Sequence, residues 1–198
     1  MISVVSPVFR AVGCVAELHH RLTATLQTLG EPYEIVLVDD GSDDGSDDEI
    51  RAITDPHVRA MFLEENAGQQ RAIAIGLQLA RGEWIVVMDC DLQDPPEAIP
   101  RLWEVRADVV IARRTRRRGW RGIVSRLWRA AARIPRGVGN FSIVHRRVVD
   151  EIMQSDEPFL LQLLKRPYRT IDVPYAARFH GRSAYTLRKL LRHAARMR

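Results

Sequence analysis

The sequence predicts one α/β domain built on a mostly parallel central sheet flanked by helices, and three observations carry that expectation. Short β-rich runs alternate with amphipathic helical patterns through the first half of the chain. Two of these runs, Ile35-Val36-Leu37-Val38 and Ile85-Val86-Val87-Met88, are apolar without alternation, as strands buried on both faces are. Each runs directly into acid, Val38 into Asp39-Asp40-Gly41-Ser42 and Met88 into Asp89-Cys90-Asp91. Ligands of open α/β sheets sit beyond the carboxyl ends of the strands, so both acidic clusters fall on the functional edge.

Residues 2–6 read as the first strand. Val15, Leu18, Leu22, Leu26 and Leu29 recur at three and four and predict the first helix. Strands over 34–38 and 58–63 follow, then a helix over 67–80, a strand over 84–88, a helix starting near Pro96 and a strand over 108–112. The second half loses the alternation. Residues 113–121 are an Arg-rich connection, and 120–133 predict a helix with Trp120, Ile123, Val124, Leu127 and Trp128 on one face. The segment 135–139 breaks that helix. A short apolar segment near 141–144, helical patterns over 146–154 and 158–165, a strand near 170–173, a polar loop over 178–183 and a basic helix from Thr186 complete the chain.

At 198 residues, 46% hydrophobic and 28% charged, the chain suits one domain with a substantial core and is short for two. The net charge of +5 hides a segregation of sign. Residues 1–100 carry 6 basic and 18 acidic side chains, net −12, whereas residues 101–198 carry 24 and 7, net +17. Only Lys165 and Lys189 are lysines, so 28 of the 30 basic residues are arginine, a bias that a GC-rich genome also produces. Cys14 and Cys90 each lie in an apolar stretch and cannot form a disulfide framework, which points to buried thiols in a reducing, cytoplasmic compartment. The apolar start MISVVSPVF lacks a basic leader and reads as a strand, not a signal peptide. No apolar run approaches the roughly 20 residues that span a bilayer, so the expected protein is soluble or peripheral on the inner membrane face.

Asp89 and Asp91 are the sharpest chemical feature. Two residues apart at a strand end, they project to the same side, and paired carboxylates call for a cation. Their hard oxygens suit Mg²⁺ or Mn²⁺, with Gln93 offering an amide oxygen. The competing reading is a helix cap before Pro95-Pro96, which Asp94 can supply while leaving the other two free. Asp39-Asp40-Gly41-Ser42, followed by Asp43, Asp44, Asp47 and Asp48, is open to three readings: a solvated acidic turn, a calcium loop or a nucleotide site. The calcium loop lacks its bidentate Glu at the proper offset, and a strand-end Asp that can reach base or ribose fits a nucleotide better.

Pro7-Val8-Phe9, Val38-Asp39-Asp40-Gly41-Ser42, Asn66-x-Gly68 with Ala72 and Gly76, and the run from Met88 through Asp94-Pro95-Pro96-Glu97 occur in that order. With Arg113, Gly139-Asn140-Phe141 and Arg178-x-x-Gly181-x-Ser183-x-Tyr185, the set resembles glycosyltransferase family 2, in its dolichyl-phosphate mannose synthase and bacterial polyprenyl-phosphate sugar transferase branch. The resemblance spans nearly the whole chain. It implies a GT-A fold, Rossmann-like, with a nucleotide-sugar-binding half over 1–112 and a basic acceptor-side half over 113–198. It also implies a nucleoside-diphosphate sugar donor of the UDP or GDP type, a divalent metal and inversion at the anomeric carbon. Carried over, Asp89, Asp91 and Gln93 hold the metal on the diphosphate, and Pro7, Phe9, Asp39, Asp40 and Gly41 line the nucleotide pocket. Arg113, Arg121 and Ser125 match positions that grip the acceptor phosphate, and Arg178 and Ser183 match positions near the donor diphosphate.

The chain departs from the pattern at Phe9-Arg10, where Tyr-Asn is common, at Asn140, where many members carry Asp, and at Ala184, where Lys is frequent. A hydroxyl acceptor needs a general base, whereas a phosphate is already anionic. The second half offers arginines and no marked base, since Asp156 and Glu157 read as helix caps. The expected acceptor is therefore a polyprenyl phosphate, with a soluble saccharide or natural product as the alternative. The helices over 120–133 and from Thr186 carry apolar faces among arginines, which suits either a lipid interface or packing on the core. Nucleic-acid binding explains the arginines but leaves the acidic strand ends idle. Nucleotidyl transfer lacks a glycine-rich loop near the N-terminus, and the six histidines show no metal-like spacing.

Overall fold

The computed structural model describes residues 1–115, 134–177 and 179–180, and the predicted helices over 120–133 and from Thr186 lie outside them. Seven strands form one sheet: β1 (Ile2–Val8), β2 (Tyr33–Asp39), β3 (Val58–Phe62), β4 (Trp84–Val87), β5 (Val109–Arg114), β6 (Val138–His145) and β7 (Arg169–Val173). Their order is β3-β2-β1-β4-β6-β5-β7. β6 runs antiparallel to β4 and β5, and every other neighbouring pair is parallel. The helices are α1 (Val15–Gln27), α2 (Ser46–Arg51), α3 (Gln69–Leu79), α4 (Ile99–Glu104), α5 (Arg146–Ile152) and α6 (Phe159–Leu164), with a 3₁₀ turn, Pro96–Ala98, ahead of α4.

The unbroken apolar strands are buried on both faces, as expected. Ile35 and Leu37 join Val86 and Met88 in a layer under α1 and α4, while Val36 and Val38 join Ile85 and Val87 in a layer under α3, α5 and α6. Alternate side chains of one strand point to opposite faces, so both layers come from the same runs. A Cβ at Gly76 would collide with the Val5 side chain, and this glycine lets α3 lie close on β1.

Two sequence expectations change. The apolar segment near 141–144 is the middle of β6, an interior strand inserted between β4 and β5 with Phe141, Ser142, Ile143 and Val144 buried. Asp156 and Glu157 do not cap α6: Pro158 holds the cap position, and Glu157 instead pairs with Lys165 at 2.6 Å. Among the described residues no helix is long and apolar enough to cross a membrane.

Candidate active site at the carboxyl ends of β2, β1 and β4

β1 lies between β2 and β4, so the two acidic strand ends stand on either side of Pro7 and Phe9. The two aspartates of β2's end do different work. Asp40 accepts hydrogen bonds from Ala67 N at 2.7 Å, Gly68 N at 3.0 Å and Asn66 Nδ2 at 2.9 Å, so its carboxylate fastens the start of α3. Asp39 accepts from Ser42 N at 3.1 Å through Oδ2, while its Oδ1 is buried with no partner among the described residues. A buried carboxylate oxygen without a donor is costly, and a ribose hydroxyl or base N–H would satisfy it. Gly41 has φ +67°, and a Cβ there would sit 2.6 Å from the Glu65 carbonyl carbon, so only glycine lets β2's end pass beneath residues 65–66.

The acidic run after Gly41 anchors the β1–α1 connection. It receives the backbone N–H groups of the β1–α1 connection in succession: Arg10 to Ser42 Oγ, Ala11 to Ser46 Oγ, Val12 to Asp44 and Gly13 to Glu49 Oε1 at 2.6 Å. Arg10, held at φ 49°, adds a two-nitrogen pair to Asp43. The connection is thereby fixed beside the nucleotide end. Phe9 N–H donates to the Cys90 thiol, whose pKa is pushed up by burial first and then by the flanking Asp91 and Asp89 charges.

Past β4, four residues carry the charge balance. Asp89 Oδ1 accepts from Gln69 Nε2 at 2.6 Å, the Asn140 amide also donates to it, and Arg114 Nη2 stands 3.8 Å from Oδ2. Burial first, then the charges of Asp91 and Asp94, push the Asp89 pKa up to about 6. Asp91 Oδ1 accepts from Gln93 N at 3.1 Å, in a turn where Leu92 is held at φ 59°. The segment after β7 returns across this turn, with Ala176 N–H donating to the Gln93 carbonyl and Phe179 N–H to the Asp91 carbonyl. Asp94 does not cap the helix as expected. It is fully buried and accepts both Nε, at 2.6 Å, and Nη2 of Arg114, leaving Pro95 at the cap position. Burial works to lower the Arg114 pKa, and the hydrogen bonds it donates to Asp94 more than reverse it.

Arg113 is placed elsewhere. Its side chain pairs with Asp172 of β7 at 2.5 Å, both half exposed, because consecutive residues of β5 face opposite ways. The structure therefore brings Arg114, and not Arg113, to the aspartates. Sequence reasoning missed Arg114 and Gln69, although strand periodicity marks the first and the position after Asn66-x-Gly68 marks the second. Arg121, Ser125, Arg178 and Ser183 lie outside the described residues.

The donor set tests the metal expectation. Among the described residues no three His, Cys, Asp or Glu side chains gather as a metal cluster. Asp89 and Asp91 supply two carboxylates, and the nearby Arg114 pairs most closely with Asp94 while standing 3.8 Å from Asp89. Two carboxylates, with water and phosphate oxygens filling the remaining positions, is the manner in which Mg²⁺-type ions are held, so these residues fit such an ion.

Residues 3–153 match the family described as Glycosyl transferase family 2. The chain belongs to glycosyl transferase family 2. Over 210 aligned residues it is 38% identical to an undecaprenyl-phosphate 4-deoxy-4-formamido-L-arabinose transferase of Pseudomonas paraeruginosa, covering 96% of this chain and 62% of that protein. A transferase of the same name from Aeromonas hydrophila is 35% identical, with 96% and 64% covered. The chain thus spans somewhat less than two thirds of the length of these relatives.

Solved structures share the architecture. A mannosyltransferase of Pyrobaculum calidifontis, in complex with GDP-Man and Mn²⁺, superposes with a TM-score of 0.61 at 20% identity, covering 87% of this chain and 54% of that one. Mannosyl-3-phosphoglycerate synthase of Rubrobacter xylanophilus superposes with a TM-score of 0.67 at 16% identity, covering 100% and 73%. The fold is GT-A, a mostly parallel sheet between two helical layers. In this family 2 chain the start of α3, the β1–α1 connection and Arg114 surround the aspartates of β2 and β4.

Proposed function

We propose that this chain is the catalytic domain of a metal-dependent, inverting glycosyltransferase that moves a sugar from a nucleoside diphosphate to a polyprenyl phosphate. The observation that carries the reading is the buried Oδ1 of Asp39, which has no partner among the described residues and is set across β1 from the Asp89 and Asp91 pair. A nucleoside diphosphate has the matching parts, a hydrogen-bond donor at the nucleoside end and a polyanion at the other. Its source as a UDP or GDP sugar is supported by the likeness to the fold solved with GDP-Man.

In this reading Asp39 takes the nucleoside, and Pro7, Phe9 and Gly41 line its pocket while Asp40 keeps α3 in place. Asp89, Asp91 and Gln93 hold Mg²⁺ or Mn²⁺. When bound, that ion supplies positive charge against the diphosphate. Arg178 and Ser183 are the candidates to serve the donor diphosphate. Arg121 and Ser125 are the candidates to grip the acceptor phosphate, and Arg114, paired with Asp94, holds the turn that carries Asp89 and Asp91. A phosphate oxygen of the acceptor attacks the anomeric carbon from the face opposite the leaving group. The new carbon–oxygen bond forms as the bond to the diphosphate breaks, and the nucleoside diphosphate departs with the electron pair. No proton has to be removed from a phosphate nucleophile, and the amide at Asn140, where an acid is common, accords with this.

The acceptor class rests on the 38% and 35% identical relatives, whose names carry undecaprenyl phosphate. Contact with the membrane is supported by two of the exposed large apolar side chains, Val12 and Phe179, at 39% and 55% exposure. They flank the point where Gly13 lies against the His180 ring, at the rim of the site. A panel of labelled UDP and GDP sugars, with Mg²⁺ or Mn²⁺ and with or without polyprenyl phosphate, tests the reading. Nucleotide release with label in the lipid product is the expected result. Label in a soluble saccharide alone, or no release, overturns the acceptor or the enzyme reading respectively.

A further inference from the structure

We infer that Gln69 is a positioning residue: it sets the Asp89 carboxylate for the cation, and the first turn of α3 thereby ties the nucleotide end of β2 to the metal end of β4. The inference rests on the metal-dependent reading above and concerns a residue which that reading leaves without a part.

β2 and β4 are not neighbours in the sheet, since β1 separates them, so no strand hydrogen bonds fix one acidic end relative to the other. The start of α3 makes that link with three consecutive residues. Ala67 and Gly68 give their backbone N–H groups to Asp40, and Gln69 gives its side-chain Nε2 to Asp89 Oδ1 at 2.6 Å. The terminal torsion of an aspartate is broad, so a carboxylate needs an outside partner to hold one orientation. Gln69 supplies such a partner on Oδ1, alongside the Asn140 amide, which also donates to this carboxylate, and Oδ2 faces Arg114, 3.8 Å away. An amide is also suited by charge: it donates a hydrogen bond without adding a positive charge against an incoming cation, as a lysine in its place would. Groups that orient a metal ligand from behind are typically worth about 10- to 100-fold in metal affinity.

The adjacent Gln70 gives an internal control. Its Oε1 accepts from Phe159 N at 3.0 Å, so it ties α3 to α6 on the side away from the aspartates. Mn²⁺ binding to the full chain is measured by titration calorimetry and by loss of the free-ion electron paramagnetic resonance signal, for wild type, Gln69→Met and Gln70→Met. Gln69→Met is expected to weaken Mn²⁺ binding about 10- to 100-fold. Its melting temperature falls no further than that of Gln70→Met, and its transferase deficit shrinks as Mn²⁺ is raised, a change in the metal requirement more than in kcat. Gln70→Met lowers the melting temperature and leaves Mn²⁺ affinity in place. Wild-type Mn²⁺ affinity in Gln69→Met overturns the inference, and so does an equal loss in Gln70→Met, which would mark general loosening of α3. A wild-type chain that binds neither Mn²⁺ nor Mg²⁺ overturns the metal-dependent reading itself, and the inference with it.

Discussion

Arg114 lays the Nε and Nη2 edge of its guanidinium along the carboxylate of Asp94, and the pair is nearly sealed, with 13% of one side chain and 1% of the other exposed. The pair locks β5 to the turn that carries Asp89 and Asp91. Arg114 also lies over the Tyr175 ring, 5.2 Å from its centre, so the segment following β7 is held by the same side chain.

Removing one partner of such a pair strands a buried charge, which costs about 3–5 kcal/mol. Arg114→Ala is therefore expected to lower unfolding free energy by about that amount in urea denaturation. Arg114→Lys keeps the charge but loses the two-nitrogen fork, and is expected to fall between. Replacing both partners, Arg114→Met with Asp94→Leu, recovers much of the stability but not sugar transfer. Arg113→Ala breaks only the half-exposed pair with Asp172 and is expected to leave the urea midpoint close to the wild-type value.

Asp91 makes a hydrogen bond to its own turn, from Gln93 N at 3.1 Å, and sits at the mouth of the site at 9% exposure. Asp91→Asn keeps the shape and removes the charge. The expected outcome is a melting temperature within a few degrees of wild type with at least about a hundredfold loss of Mn²⁺-dependent nucleotide release from the donor sugar. Full turnover in Asp91→Asn would show that the carboxylate does not serve the ion.

Much of this arrangement could be read from residue order alone, because strand ends are set by hydrophobic runs and ligand sites follow strand ends. The runs 35–38 and 85–88 placed Asp39, Asp89 and Asp91 correctly, and the alternation of layers placed the helices between them. What escaped depends on contacts between distant segments. Whether Asp94 caps a helix or meets Arg114, 20 residues on, is decided by how β5 packs beside the turn after β4. Whether Asp40 touches a ligand or fastens α3 is decided by backbone N–H groups 27 and 28 residues away. β6 was legible as apolar, but its insertion between β4 and β5 follows from sheet pairing, which local sequence does not encode.

Phe179 is exposed by more than half, and its backbone is tied to the Asp91 carbonyl, so an apolar ring stands beside the turn that carries Asp91. Inserting a phenylalanine into an apolar medium is worth about 1.5–3 kcal/mol. Phe179→Ser is expected to weaken co-sedimentation with vesicles containing anionic lipid and polyprenyl phosphate by about tenfold or more. Turnover of the donor with a short, water-soluble prenyl phosphate should be unchanged. Undiminished vesicle binding by Phe179→Ser would remove this rim from the proposed membrane contact.

On the far side of α1, His19 Nε2 and His57 Nδ1 each lie 2.8 Å from the Asp55 carboxylate, and His57 N–H donates to it at 2.8 Å. These bonds join α1 to the connection between α2 and β3, and the His57 ring stacks on Tyr33 at 4.5 Å. Burial works to raise the Asp55 pKa, but hydrogen bonding from His19 and then from His57 outweighs it and holds the value at about 2, against an ordinary 3.8. The folded state thus binds the proton more weakly than the unfolded chain. Its stabilising contribution is complete above about pH 4 and is lost as pH falls toward 2, about 2 kcal/mol in all for a side chain only 14% exposed. Urea unfolding of wild type and Asp55→Asn at a series of pH values checks this. The stability gap between them is expected to shrink by about 2 kcal/mol from pH 5 to pH 2. A gap that holds constant across that range would mean the carboxylate gains nothing from its two histidines.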